Sequence, residues 1–428
     1  MMRAQGRRSI VAIVAVAIAT AIVGASLVAA SPVGATGEPV APGGPDGPGG
    51  AVQPGVYVDE VPAASSITPA PTGVPLFVGA GHAVPDAGSG PLIAISSIDD
   101  FVQLVRDPSA ALADAVTVFF DTGGFTAYVA LAPDETAPAL AAAVAGAVGA
   151  PSPPDLLVVP ALAALSGDDY LAVVRALGAL ADRTDAVVLL DPSGGAVPAT
   201  ATGVPPALTA LADQVRATVT DPTRVVLYTS SLVDETTGRP VSAAAAAAGL
   251  MDVVDAQAGP WRAAAGLGHP LTGLRPALVL STDEAGVANV ANLIPFVPVP
   301  GYGTVVWGDR TLARSTWVPP TYLSVRRTMT FLEQSIKTSM QAYVFQANDP
   351  TTWAEVDASI TSFLTSVWQE GGLQGETAAD AFSVEVGLGT TMTGDDILNG
   401  LMNVEVQVAI TRPAELTVLS FQQEMQTS

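Results

Sequence analysis

Cysteine is absent from this chain of 428 residues, so disulfides, thiolate metal sites and thiol catalysis are all excluded. Histidine occurs twice, at His82 and His269, each beside glycine or proline and far apart. No pair of histidines has metal-ligand spacing. A phosphate-cradling Gly-Lys-Ser/Thr loop and a Gly-x-Ser-x-Gly elbow are also missing. Lysine occurs once, at Lys337, and the 17 basic residues face 40 acidic ones for a net charge of −23. Such a chain repels phosphate backbones and has no basic footprint for nucleic acid. No catalytic, metal or cofactor-binding residue emerges from this reading. The glycine-rich stretches Asp191 to Gly195 and Gly88-Ser89-Gly90 read as turns, and Asp99-Asp100 and Asp395-Asp396 as acidic helix starts.

What is abundant is alanine, glycine and proline, with 49% apolar residues and 13% charged. That is the composition of a packed globular protein with room for two domains. The N-terminal region differs. Arg3, Arg7 and Arg8 precede an uncharged run from Ser9 to Ala30, then small residues at Val33-Gly34-Ala35, then a Pro/Gly linker from Gly37 to Gly50. The run exceeds a usual signal core and is long enough to span a bilayer. A secretory signal, a membrane anchor (with membrane contact through residues 9–30) and an upstream extension with neither role all fit. Setting aside Arg3, Arg7, Arg8, Glu38 and Asp46 leaves 14 basic against 38 acidic residues, so the acidic balance belongs to the body.

From Leu76 to Trp307, short β-branched runs alternate with helical patterns of ten to fifteen residues. Runs such as Leu76 to Val78, Tyr128 to Leu131, Leu156 to Pro160, Ala186 to Leu190 and Arg224 to Tyr228 predict buried strands. Ala110 to Phe120, Ala137 to Val148, Tyr170 to Ala181, Pro206 to Val219 and Ala243 to Val254 predict helices, and Ile98 to Val105 another capped by Ser97. The alternation argues an α/β class with a mostly parallel sheet covered on both faces.

The stretch from Gly301 to Gln346 organises the remainder. Tyr322, Val325, Met329, Leu332, Ile336, Met340 and Tyr343 recur every three or four residues and predict one apolar helical stripe. Arg326, Arg327, Glu333, Gln334, Lys337 and Gln341 fall off it. Thr321 is placed to cap this helix and Asn348-Asp349-Pro350 to end it. Thr352 and Glu355 then read as a capping box for a second helix, with Trp353, Val356, Ile360, Phe363, Leu364 and Val367 as its stripe and Gly371-Gly372 as its stop. Phe382 to Val386, Met402 to Ile410 and Leu416 to Phe421 predict strands. So does Pro54-Gly55-Val56-Tyr57-Val58-Asp59-Glu60-Val61-Pro62 near the start.

Several ordered motifs carry a resemblance. They are Pro54 to Pro62 followed by Ile67-Thr68-Pro69; Phe119-Phe120-Asp121-Thr122-Gly123-Gly124 with Ala127-Tyr128-Val129; and Ala248-Gly249, Asp255, Gly259, Trp261, Ala263 and Ala265 before the Pro300-Gly301-Tyr302-Gly303 turn. Val306 to Leu312, then Tyr322, Val325-Arg326-Arg327 and Phe331 to Ile336, and finally Arg412-Pro413-Ala414-Glu415-Leu416, complete the set. Together they resemble the tail sheath proteins of contractile phages and related contractile injection systems, over roughly Pro54 to Phe421. The family usually has alanine where this chain has Asp309, and further aromatic residues and proline near Tyr228.

The resemblance implies a subtilisin-like α/β sheath domain over 75–312, without an identifiable Ser-His-Asp triad, and an α+β C-terminal sheath domain with a terminal arm over 313–428. Before them lie a leader over 1–36, the linker over 37–51 and an N-terminal arm over 52–74. It implies a non-enzymatic structural subunit needing no cofactor. Such a subunit polymerises helically around an inner tube and contracts to drive that tube through a target envelope, with tail tube, baseplate and terminator proteins as partners. Val56, Tyr57 and Val58 in one arm and Leu416, Val418 and Phe421 in the other are the expected exchanged strands. Arg326, Arg327 and Lys337 are candidates for a tube-facing surface, against a plain solvated face. The expected location is a virion tail or a cytoplasmically assembled particle, and the leader favours as its alternative a secreted or membrane-anchored surface protein.

Overall fold

The computed structural model describes residues 12–17, 66–85, 91–148, 153–194, 197, 203–314 and 322–414. Its first element is β1 (Ala12–Ala17), a strand within the leader's apolar run. The body begins with β2 (Pro75–Ala80), β3 (His82–Ala83), β4 (Ile93–Ile95), α1 (Ile98–Leu104), β5 (Val105–Arg106), α2 (Ala110–Asp121), β6 (Ala127–Ala132) and α3 (Ala137–Gly146). It continues through β7 (Leu156–Val158), α4 (Gly167–Thr184), β8 (Val187–Leu190), α5 (Pro206–Thr218) and β9 (Val225–Leu227). Six of these strands form one sheet in the order β4-β6-β2-β7-β8-β9. Only β4 runs antiparallel to its neighbour. The mostly parallel α/β sheet expected from the alternation is therefore present.

Period two along each strand divides the interior into two cores. Leu76, Val78, Leu157, Val188, Leu190 and Leu227 point to the side covered by α3, α4 and α5. Phe77, Leu156, Val158, Val187, Leu189 and Val226 point to the side covered by α2 and α6 (Ala243–Ala258). Both sets are buried, which is why these strands read as continuous apolar runs rather than alternating ones. The six alanines Ala243 to Ala248 are all buried. Their small side chains let α6 approach α2 closely, and a Cβ on Gly249 would meet the Phe119 carbonyl and the Thr122 hydroxyl.

Two small antiparallel sheets follow the β9 edge. One contains β10 (Leu232–Asp234), β11 (Pro240–Val241) and β12 (Leu274–Pro276); the other contains β13 (Phe296–Val299) and β14 (Gly303–Val306). Between them, α7 (Thr282–Val290) starts with a capping box of Ser281 and Glu284. The strand patterning did not reveal β13 or α7.

The C-terminal region contains α8 (Leu323–Ser339), α9 (Pro350–Gln369), α10 (Ala378–Ala381), β15 (Phe382–Val386), α11 (Gly394–Leu398) and β16 (Asn403–Val408). Val325, Leu332, Ile336, Met340 and Tyr343 from the α8 stripe are buried with Val356, Ile360, Phe363, Leu364 and Val367 from α9 and with Val404, Val406 and Val408 from β16. Both predicted stripes are core. One start signal needs correction. Asp349, expected to close α8, instead caps α9 by accepting from the Thr351 and Thr352 amides at 3.0 Å each, with Pro350 at the first helical position. Proline is suited to that place because its missing N–H has no intrahelical partner there, so the Thr352/Glu355 box is displaced. Thr321 lies outside the described residues.

Candidate functional site

The chain closes on itself at α8, which is fixed on three sides. At its start, Asp309 is buried and accepts from the Ser324 hydroxyl at 2.6 Å and the Ser324 amide at 3.2 Å, while its own carbonyl accepts from the Leu323 amide at 2.8 Å. A carboxylate at a helix N-terminus satisfies free amides and complements the dipole. The position where the family usually has alanine is thus an N-terminal cap.

Next along α8, Arg327 reaches into the α/β body. Its guanidinium donates to Asp255 through both terminal nitrogens, at 3.0 Å for one of them, and to Asp155 at 3.2 Å. All three side chains are buried. Burial works against the charged guanidinium, but Asp255 and Asp155 overcome it and push the Arg327 pKa up. Burial pushes the Asp155 carboxyl up against the attraction of Arg327. Asp155 also accepts from the Gly73 amide at 3.1 Å and the Val74 amide at 2.7 Å. The segment leading into β2 is therefore held by the same carboxylate that holds α8. Further back, that segment is held by α8 itself, through Ala70 N to Ser335 Oγ at 2.8 Å and Thr68 N to Ser339 Oγ at 3.1 Å.

On the adjacent flank, Arg326 is buried with Glu333 at 3.2 Å. Thr330 Oγ1 donates to the Asp185 carbonyl at 3.0 Å and Gln334 Nε2 to the Thr184 carbonyl at 2.9 Å, tying α8 to the chain just before β8. Arg224 pairs with Asp185 at 2.7 Å and Asp221 at 3.3 Å beside them. Burial lowers the Arg326 pKa and raises that of Glu333. Opposite the polar seam, Trp261 stacks edge-on to Phe331 with centroids 6.2 Å apart, and Phe331 meets Phe363 at 5.8 Å. Gly259 takes φ +86°, where a Cβ would strike the Trp261 ring.

These contacts correct the surface expected of the three cations. Arg326 and Arg327 point into the protein because α8 lies between the two bodies and has no solvent on that flank; Lys337, one turn from its end, is exposed. Asp155 was not singled out in the sequence, although Asp255 belonged to one of the motifs. A buried carboxylate pairing over a separation of 172 residues leaves no local pattern.

Beyond the carboxyl ends of β7 and β8 lies a cavity of about 500 Å³ lined in part by Asp191, Ser193, Ser230 and Ser242. Asp191 accepts from the Ser242 hydroxyl at 2.5 Å and the Ala243 and Ala244 amides at 2.8 and 3.1 Å. Burial outweighs those bonds and pushes its pKa up to about 6. Neither histidine lines the cavity, so its serines have no imidazole base beside them. The turn read at Asp191 to Gly195 is in part a cap for α6.

The second special feature is the C-terminal sheet. Its order is β1-β16-β15, with both pairs antiparallel. Along β16, half-buried and buried residues alternate, as on a sheet with one covered face. The expected arm strands, Val56, Tyr57 and Val58 and Leu416, Val418 and Phe421, lie outside the described residues. Among the described residues no helix is long and apolar enough to cross a membrane, and no group of three or more His, Cys, Asp or Glu is arranged to hold a metal.

Residues 320–424 match the family described as the phage tail sheath C-terminal domain. Among solved structures, the chain is similar to the sheath complex of an extracellular contractile injection system, PVC, in its contracted state. The identity is 27% and the TM-score 0.66, over 88% of this chain and 99% of that one. The contracted helical sheath of the anti-feeding prophage matches at 28% identity and TM-score 0.65, over 87% and 99%. A chain of the anti-feeding prophage baseplate matches at 28% and 0.67, over 88% and 100%. No curated protein sequence matches. The match of residues 320–424 to the phage tail sheath C-terminal domain and the fold match over nearly the whole of each relative agree with the ordered motifs, and the chain is similar to the sheath proteins of contractile injection systems.

Proposed function

We propose that this chain is the structural subunit of a contractile sheath. It polymerises helically around an inner tube and contracts to drive the tube through a target envelope. The observation that carries the reading is the similarity to contracted sheaths over 87–88% of the chain and 99% of each of theirs. Contacts between unlike surfaces that do not close generate helical arrays, and strands added to a neighbour's sheet hold subunits through main-chain hydrogen bonds while the bodies rotate. Val56 to Val58 and Leu416 to Phe421 are the proposed donors. The rigid connection through Arg327 supports this role, since it makes body, α8 and arm root move together. Energy stored in the assembled lattice drives contraction, so the proposed role uses no catalysis, nucleotide or metal.

The proposed partners are copies of this chain, a tail tube protein, a baseplate and a terminator, and the proposed place is a phage tail or a cytoplasmically assembled injection particle. Lys337 is the remaining cation proposed to face the tube. The test is electron microscopy of the full chain beside a chain lacking Leu416 to Ser428, each with and without tube protein. Tubes that vanish with the deletion support the reading. Monomers throughout, even with the tube, support instead a surface protein on the same fold.

A further inference from the structure

Strand β16 has β15 on one side and, on the other, a strand from the chain's own leader. Six residues are in antiparallel register, from Ala12 opposite Val408 to Ala17 opposite Asn403. In the body sheet, by contrast, the β9 edge continues into Tyr228, Thr229 and Ile294 through the bonds Thr229 N to Ile294 O and Ile294 N to Leu227 O, both 3.0 Å. Without β1, the β16 edge would present a row of unpaired amides and carbonyls over a covered apolar face, the arrangement that recruits another strand. The leader suits that edge twice over. Ala-Ile-Val-Ala-Val-Ala is uncharged and rich in β-branched residues. It also follows three arginines in a protein whose residues beyond 50 carry 14 basic against 38 acidic groups. The sheet itself is acidic, with Glu385 directly opposite Glu405, an unfavourable pair.

Given the strand exchange proposed above, we infer that the leader strand Ala12–Ala17 occupies the β16 edge in the free subunit in place of a neighbour's strand and holds back assembly until the incoming strand displaces it. The inference rests on the sheath reading. It adds a regulatory role for the leader, which is then a built-in competitor. A lone subunit keeps its edge covered, and a growing lattice, where a neighbour's strand is already held close, wins the edge by effective concentration.

The test uses the full chain with Val14→Pro and Val16→Pro together, since proline cannot donate to a ladder. Ala25→Pro, outside the strand, is the control. Amide hydrogen exchange of residues 403–408 is followed at a concentration where all forms are monomeric, and assembly is followed by sedimentation and electron microscopy. The double variant is expected to exchange those amides faster than the wild type and the control. It is also expected to assemble at a concentration lower by about tenfold or more, the ratio that 1.4 kcal/mol of competition represents. A peptide of residues 10–19, added in trans, is expected to restore the wild-type threshold. Unchanged exchange overturns the inference by removing the leader from the edge. Faster exchange with an unchanged assembly threshold overturns it too, while leaving the sheath reading intact because tubes still form. If no form assembles, with tube protein or without, both fail together.

Discussion

The body sheet and the C-terminal sheet solve the same problem in opposite ways. In the body, six strands are buried on both faces, helices cover each side, and the β9 edge is continued by Ile294. At the C-terminus only β15 and β16 come from the domain itself, one face is covered, and the outer positions hold Glu385, Glu405 and Gln407. The first sheet is built from the body alone; the second takes its third strand from the leader of the same chain. In the proposed sheath role the body would transmit force and the C-terminal sheet would be where a neighbour's strand joins.

That contrast is broken first at α8, which joins the two regions. Arg327→Ala leaves Asp155 and Asp255 buried without their cation and is expected to cost about 3–5 kcal/mol, read as a lower urea midpoint or loss of soluble protein. Arg327→Met, which keeps much of the volume, should lose comparably, because the carboxylates remain. Next, Leu157→Ala in the body is expected to cost about 2–5 kcal/mol and Val406→Ala in the C-terminal sheet about 1–2 kcal/mol. Measured at equilibrium in urea, equal losses would erase the distinction between a sheet buried twice and one buried once.

Asp309→Ala removes the cap of α8 and should cost about 1 kcal/mol, visible in the same titration. The pH response sharpens the body's side of the comparison. Asp191 has a folded pKa near 6, above the ordinary carboxylate value of 3.8, through burial. The folded state therefore binds the proton more tightly, and this contribution to stability is present at low pH and lost as pH rises through about 6. Between pH 5 and 7 it changes by about 1 kcal/mol, and Asp191→Asn should flatten that share of the slope. The smallest effect belongs to Lys337→Ala, exposed on α8, where stability should stay within about 0.5 kcal/mol while co-sedimentation with tube protein falls. A large loss of stability there would mean that Lys337, like its two arginine neighbours, serves the interior.

Much of this was legible locally. Ser97 caps α1, the runs at Leu156, Val187 and Val225 are strands of the body sheet, and the two stripes on α8 and α9 are core, because periodicity and capping are encoded within a few residues. Arg326 and Arg327 misled for the same reason. On a helix with one solvated side they would be surface cations, and no local pattern tells that α8 is enclosed. Asp349 and Asp309 were seen without their partners: one caps the helix after it, the other a helix whose first turn comes fourteen residues later.

Composition, period and ordered motifs along the chain specified the α/β class, the absence of cysteine chemistry, the acidic body and the resemblance to tail sheath proteins. That Asp155, Asp255 and Arg327 meet, that one carboxylate ties both α8 and the root of β2, and that a strand from the leader lies against β16 came from the packing of whole elements. Each of those joins residues far apart in the chain. Which charges become buried together, and which sheet edge is left open, depends on how whole elements pack rather than on any spacing along the sequence.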